Sequence, residues 1–563
     1  MQSSKARGNN RTKRIQAKSG CRTCKIRKVK CDEDRPACRR CVSTGRVCDG
    51  YGVWGYGANF HGNRQRPPVS KDSDVVAPVL RMSVSLFTGP ADEHEYLEWF
   101  KCRTSKKIPG ASILALWDTL LYPASLSEPA LLHAVLSLSS LHKREIYDSN
   151  YGIRRANTLD KQEQFTLLHY NKAIRHLQPH FSTQDKASVR VALMTCFVFV
   201  CLELLCGHFA TAQTHLKNGV MILRELGIPF KEDGGVLLFE TVPNSINDSI
   251  VKAFCRLDLQ LELFRHSYHH PYLALQISGP GSSSTVFRSV NEAWRRIERL
   301  FSKIFHLNEL GRRQQQHVSH SLLVEHPSSL LAYQQQIRVE LSMCLSALEA
   351  STNSMQDQDS KGLAYGLLFV YHAMAGIMAN TCLRQDDESI FDSETQRFVF
   401  ILNQSVVMWQ TNRSGLPQRP LPWPRIHMSR SIVDIGWIAP LYYTALKCRV
   451  HRVRLQAIRL LETTSYREGI WDSKISSCVA RKVMEIEEGG FYKDFDAVDE
   501  FLLSSSPWSQ DLSLPILPLA DRIHEVRVAL SDGPNDTIPL HYRQAQRDWE
   551  VIQVSTRGDG IAA

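Results

Sequence analysis

Six cysteines between residues 21 and 48 repeat one spacing twice, Cys21-x2-Cys24-x6-Cys31 and Cys38-x2-Cys41-x6-Cys48, the second copy seventeen positions after the first. Thiolates at such spacing are metal ligands. Six sulfurs are too many for one tetrahedral zinc and too few for two separate four-cysteine sites. Two zinc ions that share two bridging sulfurs, however, use all six in eight bonds. The count alone proposes a binuclear cluster held by Cys21, Cys24, Cys31, Cys38, Cys41 and Cys48.

The two halves differ in what lies between their cysteines. The first reads Cys24-Lys-Ile-Arg-Lys-Val-Lys-Cys31 and the second Cys41-Val-Ser-Thr-Gly-Arg-Val-Cys48. A short helix starting near Cys24 would turn Ile26 and Val29 toward the cluster and leave Lys25, Arg27, Lys28 and Lys30 outside. The first half is therefore the charged face. Pro36 in the connection fixes a tight loop that folds one half back on the other.

These six cysteines, the basic first loop and the proline-bearing connector resemble the fungal Zn2Cys6 binuclear cluster transcription factors. The resemblance implies that the first cysteine of each half bridges the metals, here Cys21 and Cys38. It also implies that a helix enters the major groove of double-stranded DNA, where the basic residues matching Arg27 and Lys28 read the end of a CGG-type triplet. A guanine edge offers two acceptors, N7 and O6, that Lys or a forked Arg can engage. Lys25, Lys30 and Arg22 are expected on phosphates, where they position the module without reading sequence. An alternative stands beside this: a co-repressor or co-activator whose cluster binds a protein partner rather than DNA.

Charge points the same way independently of the motif. Residues 1–48 hold fifteen Lys and Arg against Asp32, Glu33 and Asp34, a formal +12, whereas the whole chain is +11. The positive excess thus belongs to one end, as attraction to a polyanion requires. Residues 1–20, with Lys5, Arg7, Arg11, Lys13, Arg14 and Lys18 and no acid, read as a disordered basic arm. Its Arg11-Thr-Lys-Arg14 core suits nuclear import or backbone contact, and a nuclear location is expected. No apolar stretch follows these charges, which argues against a secretory signal. Residues 49–85, with Gly50-Tyr-Gly-Val-Trp-Gly-Tyr56 and Pro67-Pro68, read as a flexible linker. Sustained heptads are missing between 49 and 100, so the chain acts as a monomer or as a homodimer joined through its larger part.

From residue 86 to 563 the composition is globular and the dominant periodicity helical. Ser127 before Glu128 and Pro129, then Ala130, Leu131, Ala134, Val135, Leu138 and Leu141, predicts an N-capped amphipathic helix. Similar patterns cover Phe165 to Leu177, Thr211 to Leu226, Val290 to Phe305, Leu331 to Leu348, Leu363 to Met378 and Ile438 to Leu461. The fold expected is a small Zn2Cys6 module plus a large all-α regulatory domain. Val191 to Cys206 is almost continuously apolar but short for a membrane span and carries Glu203, which predicts a buried core helix paired with the helix after Gly207. The nine cysteines outside the cluster mostly sit in apolar helical stretches, including Cys196, Cys201, Cys206, Cys255 and Cys448, which fits a reducing compartment.

This larger part also resembles the fungal-specific transcription factor regulatory, or middle homology, domain. The resemblance is carried by Glu93-His-Glu-Tyr-Leu-Glu-Trp-Phe100, Ser127-Glu-Pro-Ala-Leu-Leu-His-Ala-Val135, Asp434-Ile-Gly-Trp-Ile-Ala-Pro-Leu-Tyr-Tyr443 and Arg467-Glu-Gly-Ile-Trp-Asp472. It implies a helical domain that regulates activation and contacts effectors, co-regulators or the transcription machinery. No nucleophile elbow, H-E-x-x-H, phosphate loop or dinucleotide fingerprint is present, so an enzyme is not expected. Gly279-Pro-Gly-Ser-Ser-Ser-Thr285 lacks the lysine of a phosphate loop, and His266, His269 and His270 read as surface histidines rather than ligands. Residues 485–503 interleave seven acids with aromatics against one lysine. That pattern suits either an activation segment or, the better account, an amphipathic helix and loop on the body's surface. The whole predicts a zinc-dependent, sequence-specific DNA-binding regulator of RNA polymerase II transcription that controls a metabolic or biosynthetic pathway.

Overall fold

The computed structural model describes residues 24, 29–32, 38–44 and 89–556, apart from 108–115, 152–160, 184, 234–235, 243–244, 265–271, 277–285, 318–326, 354–360, 415–430, 464–465, 496–498, 531, 533–536 and 545–546. The basic arm, the linker, the histidine cluster at 266–270 and the 279–285 loop lie outside the described residues. The chain divides into an N-terminal unit and a helical body built from residues 87–175 and 185–563. The described residues of the N-terminal segment include the short helix α1 (Arg39–Val42).

In the body, α2 (Ala91–Trp99), α3 (Pro129–Tyr151) and α4 (Lys161–Leu177) lead to α5 (Lys186–Cys206) and α6 (Phe209–Leu223). Ser127, expected to cap α3, instead donates its hydroxyl to the Ala124 carbonyl at 3.1 Å. The Glu128 carbonyl accepts the first helical bond, from Leu132 N–H at 2.9 Å. Pro129 explains the shift, since a proline at the first helical position brings no N–H that needs a cap.

The apolar run is the interior helix that its composition predicts. Asp185 caps α5 by accepting from Ser188 N–H at 2.9 Å, and Gly207, at φ 78°, closes it in the left-handed conformation. Residues from Val191 through Leu204 are buried without a break. Among the described residues two helices, 186–206 and 362–381, are long and apolar enough to cross a membrane, and both are mostly buried inside the body. Glu203, the one acid inside α5, accepts from the Tyr170 hydroxyl at 2.8 Å and meets His208 Nδ1 at 2.7 Å. After Gly207 the chain doubles back: Cys196 bonds the His215 carbonyl at 3.1 Å, and a Cβ on Gly219 would lie 2.3 Å from the Phe254 ring. Gly219 lets α6 approach α7 (Ile246–Phe264) that closely.

Further on come α8 (Val290–His317), α9 (Pro327–Asn353) and α10 (Lys361–Thr381), where the 3.6-residue period predicts helices, and α11 (Thr395–Ser414), which the sequence reading does not single out. The stretch Ile438 to Leu461, one helical pattern in the sequence, is two helices, α12 (Ile438–Lys447) and α13 (His451–Glu462). Arg449 in the break is buried, with its guanidinium 2.9 Å from both Glu388 and Glu487. Glu487 belongs to α14 (Ser473–Glu488), also pairs with Arg454, and accepts from Ile523 N–H at 2.7 Å. Breaking the helix at Arg449 brings that charge to its carboxylates, without which burying it would cost several kcal/mol.

The body is mostly helical but not wholly so. Short strands β1 (Phe230–Asp233), β2 (Val236–Glu240) and β3 (Tyr272–Gln276) make one sheet, and β4 (Ser431–Ile432), β5 (Arg467–Glu468) and β6 (Trp471–Asp472) a second. Near the C-terminus β7 (Ile523–Val528), β8 (Thr537–Gln544) and β9 (Glu550–Ser555) form an antiparallel meander. Ile538, Leu540 and Tyr542 of β8 alternate inward. Pro539 sits at a less buried position between Ile538 and Leu540, and a residue without an N–H is least expected in a central strand, which masks the strand in the sequence.

The acidic, aromatic segment at 485–503 is built into this framework. Glu487 and Glu488 close ion pairs, the buried Tyr492 donates to the Pro515 carbonyl at 3.0 Å, and Arg452 stacks on Phe501. The surface-packing account therefore fits its described residues, and 496–498 lie outside them. His451, at the start of α13, lies 2.8 Å from both Glu488 and Asp499. Burial pulls its pKa down, but hydrogen bonds to those two carboxylates and their charges outweigh burial and raise it.

Two outcomes are expected. A pKa raised in the folded state gives stabilisation that is complete below the unfolded value near 6.5 and is lost as pH rises through the folded value. Urea midpoints of the wild type should therefore fall from pH 6 to 8, and His451→Gln should flatten that slope. Arg256 of α7 is buried and donates from Nε to Asp434 Oδ1 at 2.7 Å, so Asp434→Ala, which takes that carboxylate away, should destabilise the body by roughly 3 kcal/mol at unchanged m-value.

Candidate metal centre

The N-terminal unit is organised around its cysteines. Cys24, Cys38 and Cys41 are fully buried, Cys31 is 5% exposed, and Val29 packs against them. For a segment this short, that is a core of sulfur rather than of hydrocarbon. Cys24 Sγ stands 3.6 Å from Cys38 Sγ and 3.9 Å from Cys41 Sγ, and the three sulfurs lie within 4.8 Å of one another. A disulfide would need about 2.0 Å. Zinc–sulfur bonds of about 2.3 Å aimed at the corners of a tetrahedron place neighbouring sulfurs about 3.8 Å apart. The spacing is that of thiolates sharing a metal, so these residues fit zinc.

Local structure explains the convergence. Cys38 is the N-cap of α1, and its sulfur accepts from Cys41 N–H at 3.3 Å. The N–H groups of Arg39 and Arg40 both go to Asp32, at 2.9 Å to Oδ1 and 2.9 Å to Oδ2. Asp32 follows Cys31 directly, so its carboxylate ties the first half to the helix that begins the second. It satisfies two N–H groups at the positive end of α1 that would otherwise lack partners. On the first half, Val29 N–H donates to the Cys24 carbonyl at 3.0 Å, closing the turn that brings Val29 inward.

Of the six expected ligands, four are described and buried, and three of their sulfurs converge; Cys21 and Cys48 lie outside the described residues. Lys30 is exposed, as a phosphate contact needs, while Arg22, Lys25, Arg27 and Lys28 lie outside the described residues. The second half adds two exposed cations on α1, Arg39 and Arg40, that the asymmetry of the loops did not single out. Asp32 counts in the sequence only as one of three acids. Its signal was position: an acid next to a ligand cysteine and seven residues before a helix start.

The bound metal would supply the cross-links that hold these short segments together, and Asp32 sets the register between them. Asp32→Ala should therefore weaken zinc retention by about 10- to 100-fold, the range seen for groups that orient ligands, in a competition titration against a chromophoric chelator.

Comparison with known proteins matches both parts of the chain to fungal regulator families. Residues 19–53 match the family described as Fungal Zn(2)-Cys(6) binuclear cluster domain, and residues 107–426, more than half of the chain, match the Fungal specific transcription factor domain. The aspercryptin biosynthesis cluster-specific transcription regulator atnN of Emericella nidulans is 27% identical over 343 residues, covering 58% of this chain and 53% of that protein. The transcription regulator lscL of Purpureocillium lilacinum is 28% identical over 208 residues, 36% of this chain and 48% of that protein. The transcriptional regulatory protein moc3 of Schizosaccharomyces pombe is 52% identical over 40 residues, 7% of this chain and 8% of that protein. The chain thus spans about half the length of the first two relatives. No solved structure matches it. The chain belongs to the fungal specific transcription factors with a zinc-binding Zn(2)-Cys(6) binuclear cluster domain, a family of transcription regulators and not of enzymes.

Proposed function

We propose that the chain is a nuclear, zinc-dependent, sequence-specific DNA-binding factor that acts on genes transcribed by RNA polymerase II and reads CGG-type triplets. The observation that carries this reading is the buried convergence of Cys24, Cys38 and Cys41 at zinc-ligand spacing, in the segment that holds the whole positive excess of the chain. Two zinc ions, held by Cys21, Cys24, Cys31, Cys38, Cys41 and Cys48 with Cys21 and Cys38 shared, use all six thiolates. Arg27 and Lys28 read guanine edges, and Lys25, Lys30 and Arg22 hold phosphates.

Residues 1–20 serve as a basic arm, 21–48 as the reader, 49–85 as the linker and 86–563 as the regulatory body. The body receives co-regulators or the transcription machinery. A relative named for a biosynthesis cluster supports the same kind of target here, a set of genes for one biosynthetic pathway.

Random-site selection with the full chain, with and without a zinc chelator, tests the reading. An enriched CGG triplet that vanishes on chelation is the expected result, since structural zinc contributes on the order of 10 kcal/mol to the folding of such modules. The spacing of a second triplet, or its absence, distinguishes a homodimer from a monomer. Failure to enrich any sequence while a protein partner is retained would favour the co-regulator reading instead. Arg27→Ala or Lys28→Ala should lower discrimination at the triplet by roughly 1–3 kcal/mol, whereas Lys30→Ala should weaken all sequences alike. Equal losses on specific and random DNA for Arg27 or Lys28 would reassign them to the backbone.

A further inference from the structure

We propose that the helical body carries a zinc site of its own, separate from the cysteine cluster, formed by Glu93 of α2, His133 of α3 and His169 of α4. One ligand atom from each of the three residues lies within 4.8 Å of the other two. Glu93, His133 and His169 are 8%, 9% and 2% exposed. The two imidazole Nδ1 atoms are 3.0 Å apart, and His169 Nε2 faces Glu93 Oε1 at 3.8 Å. Lys172, one turn beyond His169 on α4, stands 3.5 Å from the same oxygen.

The distances around Glu93 are the telling ones. A buried carboxylate beside two basic groups ordinarily closes on one of them at about 2.7–2.9 Å. Glu93 is held at longer range: Lys172 Nζ donates to its Oε1 at 3.5 Å, and His169 Nε2 stands 3.8 Å from the same oxygen. Two imidazoles and a carboxylate converging from three helices are the donor set of zinc sites that hold three protein ligands and leave a fourth position to water. Zinc–nitrogen bonds of about 2.0–2.1 Å in a tetrahedron separate the nitrogens by about 3.3 Å, so an ion held by the two Nδ1 atoms would replace the hydrogen bond between them with an opening of a few tenths of an ångström, and the Glu93 carboxylate, which faces Nε2 of His169, would turn toward the ion.

The surroundings suit a cation. The Phe165 ring stacks on His169 with centroids 4.0 Å apart and fixes the imidazole plane. Lys172 is 38% exposed, and its ammonium can swing to solvent as a divalent ion takes over the charge of Glu93. The ion would clamp α2 and α4 onto α3 and make the packing of this corner of the body depend on zinc supply.

The test uses the full chain loaded with zinc and passed through gel filtration. Metal analysis should find one zinc fewer per chain in the double variant His133→Gln, His169→Gln than in the wild type. In cobalt-loaded samples the thiolate-to-cobalt charge-transfer absorption of the cysteine cluster should be equal in the two proteins, which separates this site from the N-terminal one. Glu93→Gln, which keeps size and a hydrogen-bonding group, guards against misfolding of the double variant. Added zinc should raise the thermal midpoint of the body by several degrees in the wild type and leave that of Glu93→Gln unmoved. Equal zinc content in wild type and double variant, or an equal midpoint shift in Glu93→Gln, would overturn the assignment.

Discussion

The body depends on the ion pair between Arg256 and Asp434. Arg256 Nε donates to Asp434 Oδ1 at 2.7 Å and Nη2 to Oδ2 at 3.3 Å, with both side chains 3% exposed. The same guanidinium pairs with Glu298 and covers the Trp294 ring at 4.6 Å. One side chain of α7 thus holds α8 and the bend that leads from β4 into α12 together. Around it the polar groups close in turn. Gln260 donates to the Val433 carbonyl at 2.9 Å, and Glu468 accepts from Trp437 and Ile438 N–H at 2.9 and 2.8 Å, capping α12. Burial pushes the Glu468 carboxyl up to about 8, against the pull of those N–H donors. The backbone is shaped to this knot: a Cβ on Gly436 would lie 2.1 Å from the Glu468 carboxylate, and one on Gly469, at φ +57°, would lie 1.8 Å from Gln260 Oε1. Buried charges of this kind destabilise any arrangement that leaves them unpaired, so they select one packing of the helices more than they add net stability.

The N-terminal unit solves the same problem by different means. Fewer than thirty residues cannot bury enough apolar surface to offset the entropy of ordering them, and such modules rely on metal instead. The buried residues there are cysteines with Val29 against them, and the polar closure is Asp32 across the N–H groups of α1. The two parts of the chain therefore answer to different conditions. One depends on a metal and on thiolates kept reduced, and the other on a carboxylate and guanidinium framework set in a large apolar core.

The strings that carry the middle homology resemblance acquire a physical meaning from the fold. Asp434 and Gly436 in the third string and Glu468 and Gly469 in the fourth are all members of the polar knot. Glu93 in the first and His133 in the second are two of the three residues assigned to the second zinc site. Residues of these strings, far apart in the chain, meet in space.

Spacing and period, which are local properties, made the cysteine cluster, the buried α5, its hairpin with α6 and the long helices legible in the sequence. A thiolate repeat or a 3.6-residue stripe records the constraint along the chain itself. What the tertiary structure decided are the features whose partners are distant. Arg449 breaks one expected helix into α12 and α13 because Glu388 and Glu487 lie where a continuous helix could not deliver its charge. The β7–β8–β9 meander stands although Pro539 sits in its middle strand. Asp32 reaches across to α1, and Glu93 meets two histidines from other helices. By itself the sequence determined which side chains can ligate, pair or pack. Only the fold decided which of them meet, because the cost of burying an unpaired charge is settled by neighbours that the chain order does not name.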